Sequence, residues 1–288
     1  MTKGPSSSQE TVLRLFPGPG GPVPLRGLYL DKSLRPSGTP ARPCVYASFI
    51  ASLDGRISLP DPETKVRKVP RAIANPRDWR LVQELAAAAD VLVTSGRYIR
   101  DLAAGVAQDN LPVSDKPEFA DLHEWRRARS LTPQPAVAIV TGSLDLPIPE
   151  ALLHSGRAIY IATGAAADTS RIKSLAAQGV RVLKADNGTR VEGRALIAAL
   201  AQEGFGNIDM TAGSVLLNAL LTAGVLNCLY LTQACRILGG RAFETLYTGE
   251  ELHPPADFKL RSLFYDAAGN GGIEQLFSVF DYRAPRAG

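Results

Sequence analysis

The chain has 288 residues, 45% of them apolar and 21% charged, with a formal net charge of +4. That is enough apolar content to bury a full core in one large domain or two small ones. Apart from Arg126, Arg127 and Arg129 the arginines are scattered, so the basic stripe with interleaved aromatics that marks nucleic-acid binding is missing.

Three cysteines (Cys44, Cys228, Cys235) and three histidines (His123, His154, His253) fall at spacings that make neither a Cys-x-x-Cys pair nor a zinc cluster. This usage suits a reducing compartment. "MTKGPSSSQE" lacks an apolar signal core, and no run approaches about 18 apolar residues. The expectation is a cytoplasmic protein with no membrane or metal partner.

In chain order, residues 1–42 are rich in proline and glycine, as in "FPGPGGPVP" and "RPSGTPARP". Proline removes a backbone donor and fixes φ, so this segment reads as an extended arm, with one short strand across "VPLRGLYL". Strands and helices alternate from Val45. "YASFIASLDGRISL" opens with a β-prone run and closes on Ser52, Asp54, Gly55 and Arg56. Asp-Gly by itself also fits a hairpin turn that would pair the strand with "RISL". The polar, proline-punctuated stretch "SLPDPETKVRKVPRA" reads as a lid.

Asn75 then signals a helix as N-cap, with Pro76 at its first position and Asp78 in its first turn. Trp79, Val82, Leu85, Ala86 and Ala89 repeat at spacings of three and four, which predicts the buried face. "DVLVTSG" predicts a strand, "RYIRDLAAG" a helix and 120–128 another helix. "AVAIVTGS", "AIYIAT" and "VRVLKA" predict strands, with helices near 170–178 and 194–202. "NIDMTAGS" is followed by the helix "VLLNALLTAG" and the strand "LNCLYLTQA". The last two strands, joined by a Gly/Asn turn, predict an antiparallel hairpin. Such alternation predicts a largely parallel sheet with helices on both faces and an antiparallel edge.

Strand ends in such sheets carry small polar residues where ligands bind. Candidates are Ser52 to Gly55, Thr94 to Arg97, Thr141 to Ser143, Ala162 to Gly164 and Thr211 to Ser214. Small residues let backbone amides approach an anion closely. The same residues are ordinary caps and turn formers. No Gly-x-Gly-x-x-Gly follows a strand, no Pro-Cys-x-x-Cys follows His123, and no Gly-x-Ser-x-Gly is present.

Order and content go further. The succession "SFIASLDGRIS", "ELAAAADVLVTSGRY", "AVAIVTGSLDLP", "GVRVLKA" and "MTAGSVLLNALLTAGVLNCLYLTQACRILGG" resembles the reductase domain of riboflavin biosynthesis. That domain is the C-terminal half of a bifunctional deaminase/reductase in the dihydrofolate-reductase-like superfamily. The resemblance runs from about Val45 to the tail, giving an arm at 1–42 and a reductase domain at 43–288. It implies a three-layer α/β/α dihydrofolate-reductase-like fold, a homodimer, NADPH as cofactor and a ribosylaminopyrimidine phosphate as small-molecule substrate. By position it implies Ser52, Asp54 and Gly55 at the border of substrate and nicotinamide; Asp54 is the one candidate catalytic residue, as an acid with water the alternative proton source, and Arg56 and Asn75 are further substrate candidates. It implies Thr94, Ser95, Gly96, Arg97, Thr141, Ser143, Gly213 and Ser214 toward the cofactor.

The sequence departs from the family's pattern at three places. Thr211, Ala212 and Gly213 stand where Glu-Gly-Gly is usual, Asn227-Cys228 replaces Asp-Glu, and "TSGRY" alters the phosphate loop. The glutamate normally faces substrate. A non-catalytic nucleotide-binding protein on the same fold is therefore the alternative reading.

Overall fold

A computed structural model describes residues 11–108, 111, 113–164, 168–186 and 191–283. The first ten residues of the expected arm lie outside the described residues. In chain order the elements begin with β1 (Thr11–Phe16), β2 (Gly21–Pro24), β3 (Cys44–Ser52), β4 (Leu59–Pro60), β5 (Arg67–Lys68), α1 (Pro76–Ala88), β6 (Val91–Ser95) and α2 (Gly96–Ala103). There follow α3 (Ala120–Arg127), β7 (Ala136–Val140), α4 (Glu150–Leu153), β8 (Ile159–Thr163), α5 (Thr169–Ala177), β9 (Arg181–Lys184), α6 (Gly193–Gln202) and β10 (Asn207–Met210). The last are α7 (Ser214–Thr222), β11 (Cys228–Ala234), β12 (Asp257–Asp266) and β13 (Gln275–Arg283). The chain divides into two compact units, one built from residues 11–35, 47–85 and 227–283, the other from 36–46 and 86–226.

The first unit has strand order β2-β1-β12-β13-β11-β3. The predicted C-terminal hairpin is its centre, with β12 and β13 antiparallel from Asp257↔Arg283 to Asp266↔Gln275. The proline-rich N-terminal segment extends the antiparallel part: β1 pairs with β12 through Leu13↔Tyr265 and Arg14↔Phe264, and β2 pairs with β1. The strand expected across "VPLRGLYL" stops at Pro24 and gives way to turns. Glu84 of α1 is the reason, because its carboxylate accepts the Gly27 amide at 2.6 Å and the Tyr29 amide at 2.9 Å. Those amides are thereby withdrawn from any ladder. The Tyr29 ring rests on Tyr230 with centroids 4.9 Å apart.

Helix α1 starts as its cap predicts: Asn75 Oδ1 accepts the Arg77 and Asp78 amides at 3.1 and 2.9 Å. Its buried face follows the periodicity at Leu85, Ala86 and Ala89 and departs from it earlier in the helix. Trp79 and Val82 are half-buried, whereas Asp78, Arg80, Gln83 and Glu84 are buried. Pairing overrides hydropathy here: Arg80 Nε donates to Glu84 at 2.8 Å one turn on, and Glu84 also takes the two amides above. The expected lid carries the short β4–β5 hairpin, whose turn is held by Asp61 accepting the Glu63 and Thr64 amides.

The second unit has order β10-β6-β7-β8-β9, all parallel in the pairings from Ile208↔Val91 to Thr163↔Lys184. Helix α2 packs on β6 and β7, while α5 and α6 pack on β9. The core includes Ile99, Val137, Ile139, Ile159, Ile161 and Leu175, supplied by apolar runs of strands covered on both faces. The expected α/β fold is present, with a parallel part and an antiparallel part that includes more than the C-terminal hairpin.

Candidate functional site

In the first unit, Ser52 ends β3 fully buried and starts a tight reversal. Gly55 donates its amide to the Ser52 carbonyl at 2.9 Å with φ of 77°, a conformation that glycine adopts without strain. The hairpin alternative holds for one residue pair: the Ser52 amide donates to the Arg56 carbonyl at 3.0 Å, after which Ile57 donates to the Glu244 carbonyl and Ser58 bridges to Glu244, so the rest of "RISL" pairs elsewhere.

Asp54 is the hub of this reversal. Its Oδ1 accepts Ser52 Oγ at 2.5 Å and the Leu238 amide at 3.3 Å. Its Oδ2 accepts the Gly239 amide at 2.9 Å and forms the ion pair with Arg56. Arg56 in turn donates to the Gly240 carbonyl at 2.9 Å and lies 4.3 Å over the Phe243 ring. Two separated sequence pieces, "SLDGR" and "LGG", thus close on one carboxylate. Gly239 and Gly240 have φ of 70° and 92°, which presents the Gly239 amide to Asp54.

The hydrogen bond from Ser52, then those from the Gly239 and Leu238 amides, and last the Arg56 charge, pull the Asp54 pKa down to about 2 against a smaller opposing effect of burial. A carboxyl so acidic carries no proton at neutral pH. Asp54, the residue expected to be catalytic, is here an ionised acceptor that holds the 236–240 loop. Sequence reasoning missed Leu238 and Gly239 as members of this site; the paired glycines after β11 were the available signal.

Asn75, expected near substrate, is committed elsewhere. It caps α1 and exchanges hydrogen bonds with Gln275, Nδ2 to Oε1 at 2.7 Å and Nε2 to Oδ1 at 3.2 Å. Gln275 also donates to Asp266 at 2.8 Å, and Asp266 is paired with Arg77 at 2.8 Å. This buried network ties the start of α1 to the C-terminal hairpin, which is a structural task.

In the second unit, β6, β7 and β10 are adjacent and parallel, with Ser95↔Val140 and Met210↔Val93 in register. Their carboxyl ends bring Ser95-Gly96, Thr141 to Ser143 and Thr211 to Ser214 to one edge. From β6 the chain proceeds outward through β7, β8 and β9 and then returns to β10 on the other side. Such a reversal leaves a crevice outside the strand ends.

Ser95 caps α2 by accepting the Tyr98 amide at 3.2 Å. Gly96 lies against Thr141: a Cβ there would meet Thr141 Oγ1 at 2.8 Å and Cβ at 2.9 Å. Gly96→Ala is therefore expected to cost about 1–3 kcal/mol by forcing α2 and the β7 end apart, read as a lower midpoint in urea; an unchanged midpoint would mean that Thr141 yields freely. Thr94 is buried within β6. Thr141 accepts the Ser143 amide and donates to the Ser143 carbonyl, so it shapes a turn. Ser143 is exposed, and Arg97 is exposed beside Asp101 at 4.0 Å.

Helix α7 is capped by Gly213 with no side-chain hydrogen bond, leaving its opening amides to be answered by solvent or an anion. Thr211 donates amide and hydroxyl to the Val93 carbonyl at 2.9 and 3.2 Å. The residue in place of the expected glutamate is thus tied to β6. Among the described residues no His/Cys/Asp/Glu cluster suits a metal and no helix is long and apolar enough to cross a membrane.

Together these features define an α/β protein with small, hydroxyl-rich strand ends beside an uncapped helix start. Residues 43–270 match the RibD C-terminal domain, and the chain belongs to that family. A search of curated proteins finds no match.

Among solved structures the fold is similar to a pyrimidine reductase-like protein of Corynebacterium diphtheriae: TM-score 0.62, 19% identity, covering 84% of this chain and 93% of that one. It is also similar to RibD of Acinetobacter baumannii (0.57, 17%), covering 84% of this chain and 58% of that longer one. A third is the riboflavin biosynthesis reductase of Saccharomyces cerevisiae (0.53, 14%), with 89% and 99% covered. The α/β fold expected from the sequence is the fold of this chain, and it is shared with these structures.

Proposed function

We propose that this chain is a reductase that uses NADPH, with a ribosylaminopyrimidine phosphate or a related small carbonyl or imine compound as substrate. The observation that carries the reading is the β6/β10 edge, where the chain reverses direction and α7 opens on Gly213-Ser214 without a side-chain cap. An anionic pyrophosphate is favoured at such a helix start by its dipole and unpaired amides. Gly213 and Ser214 would hold it, with Ser95 and exposed Arg97 adding a hydroxyl and a charge. Bound there, the nicotinamide supplies hydride; the protein supplies orientation and exclusion of water. Ser52, Gly55 and Arg56 are assigned to substrate, on the reversal that Asp54 ties to the 236–240 loop.

Homodimer formation and a cytoplasmic setting belong to the same proposal. The non-catalytic alternative draws support from the ionised Asp54 and the Thr211 tie to Val93, which leave proton delivery to water.

Thermal unfolding with NADPH and with NADH tests the cofactor. At about a hundred times its dissociation constant, NADPH is expected to add roughly 2.7 kcal/mol; no shift with either nucleotide would sink the reading. Turnover with the ribosylaminopyrimidine phosphate, measured from nicotinamide absorbance, then separates enzyme from binding protein. Asp54→Asn is expected to lower turnover while the NADPH shift persists.

A further inference from the structure

We propose that the first unit carries a separate site for a small organic acid, a phosphate or carboxylate joined to an apolar ring, between the N-terminal hairpin and the turn after it. A cavity of about 460 Å³ lies there, within the range of small-molecule sites. Its lining residues on the N-terminal side, from Arg14 to Leu34, precede the family-matched region 43–270. The site is therefore additional to the strand edge assigned to the dinucleotide.

The sheet register builds one wall. Arg14 on β1 stands directly opposite Phe264 on antiparallel β12, so their side chains project from the same face, and Ser262, two residues earlier, shares it. The 25–34 turn builds the other wall, held by the Glu84 bonds and by Tyr230 Oη donating to the Leu34 carbonyl at 2.5 Å. Val23, Leu28, Leu34 and Phe264 give an apolar lining, which suits a ring or short chain rather than a bare ion.

The polar groups are cationic in balance. Arg14, Arg26 and Arg261 line the cavity with one acid, Asp31. Asp281 answers Arg261. Asp31 is engaged by the Ser33 amide at 2.8 Å and hydroxyl at 2.5 Å and also feels the Arg14 and Arg35 charges. Arg14 reaches the Pro19 carbonyl through Nη2 at 3.3 Å, yet its Nε is buried with no hydrogen-bond partner. Burying an unmade guanidinium donor is costly, and an oxyanion in the cavity would meet it. A guanidinium fork recognises phosphate and carboxylate by two parallel hydrogen bonds.

Calorimetric titration of the full chain with phenyl phosphate, benzoate, inorganic phosphate and benzyl alcohol tests the site. Phenyl phosphate or benzoate is expected to saturate, more tightly than inorganic phosphate, while benzyl alcohol does not bind. Arg14→Gln is expected to weaken the saturating anion by at least about tenfold, the loss of a charge-assisted contact, without lowering the unliganded melting temperature. If that variant fails to fold, Arg26→Gln carries the same expectation. Saturating NADPH is expected to leave the affinity unchanged, which separates this site from the strand edge.

Absence of saturation, binding indifferent to both arginine variants, or competition with NADPH would each overturn the proposal. So would sedimentation showing that Arg14→Gln instead dissociates an oligomer.

Discussion

Replacing Arg126 by methionine is expected to lower the unfolding free energy by about 3–5 kcal/mol, from the loss of bonds to several buried or half-buried acceptors at about 1–3 kcal/mol each. The guanidinium is buried at the carboxyl end of α1, donating to the Ala87 and Ala89 carbonyls at 2.8 and 2.7 Å. Its other donors reach the Thr132 carbonyl at 2.7 Å and hydroxyl at 3.2 Å.

The last carbonyls of a helix have no partner within it, and the last turn of α1 contains no basic residue of its own. Arg126, on another helix, supplies both the donors and the positive charge that a helix carboxyl end favours. Burial pulls its pKa down to about 10, so it stays charged at neutral pH. Methionine keeps the apolar stem and strands the carbonyls. Arg126→Lys is expected to recover part of the loss, since one ammonium cannot span all four acceptors. Urea unfolding of the three proteins measures this; a methionine variant within about 1 kcal/mol of wild type would mean that water replaces the guanidinium.

Arg126 also shows where sequence reading stops. In the sequence it is one of a cluster with Arg127 and Arg129, and nothing sets it apart from them, because composition reports charge but not the partner. Its acceptors Ala87 and Ala89 lie 39 and 37 residues away. The same limit hid Glu84, whose amide partners are 57 and 55 residues away, and the bond of the Asn75 amide to Gln275, 200 residues away.

What was legible was local. Asn75-Pro76 announced the start of α1, alternating runs announced the parallel strands, and Ser-x-Asp-Gly marked a strand end that turns sharply. The candidate site was legible as strand ends. The closure of "SLDGR" on "LGG" was not, because it depends on backbone amides that no side-chain pattern advertises.

The stability of wild type is expected to fall as pH rises from about 4 to 8, and Asp209→Asn to remove most of that fall. Asp209 lies on β10, fully buried, with neither carboxyl oxygen hydrogen-bonded. Burial pushes its pKa up to about 8, because the charged form would have to be desolvated with nothing to compensate it. In the unfolded chain the same group titrates near 3.8.

Between these values the folded state holds a proton that the unfolded state has released. The contribution is therefore fully present below about 3.8 and is lost as pH rises toward 8, at up to about 1.4 kcal/mol per unit. Asp78, raised by burial to about 6 against an opposing hydrogen bond from Thr232, adds a smaller slope of the same sign. Asp54 and Asp61, lowered to about 2, act with opposite sign and only below about 3.8.

An asparagine cannot ionise. The variant is thus expected to match or fall below wild type at pH 4 and to exceed it at pH 8, with Asp78 and Glu84, both raised by burial, leaving a remaining slope of the same sign. Guanidinium unfolding across that pH range decides the matter. Parallel curves for the two proteins would mean that a cation reaches Asp209 in solution, and that β10 carries an ion pair where the structure has a neutral acid.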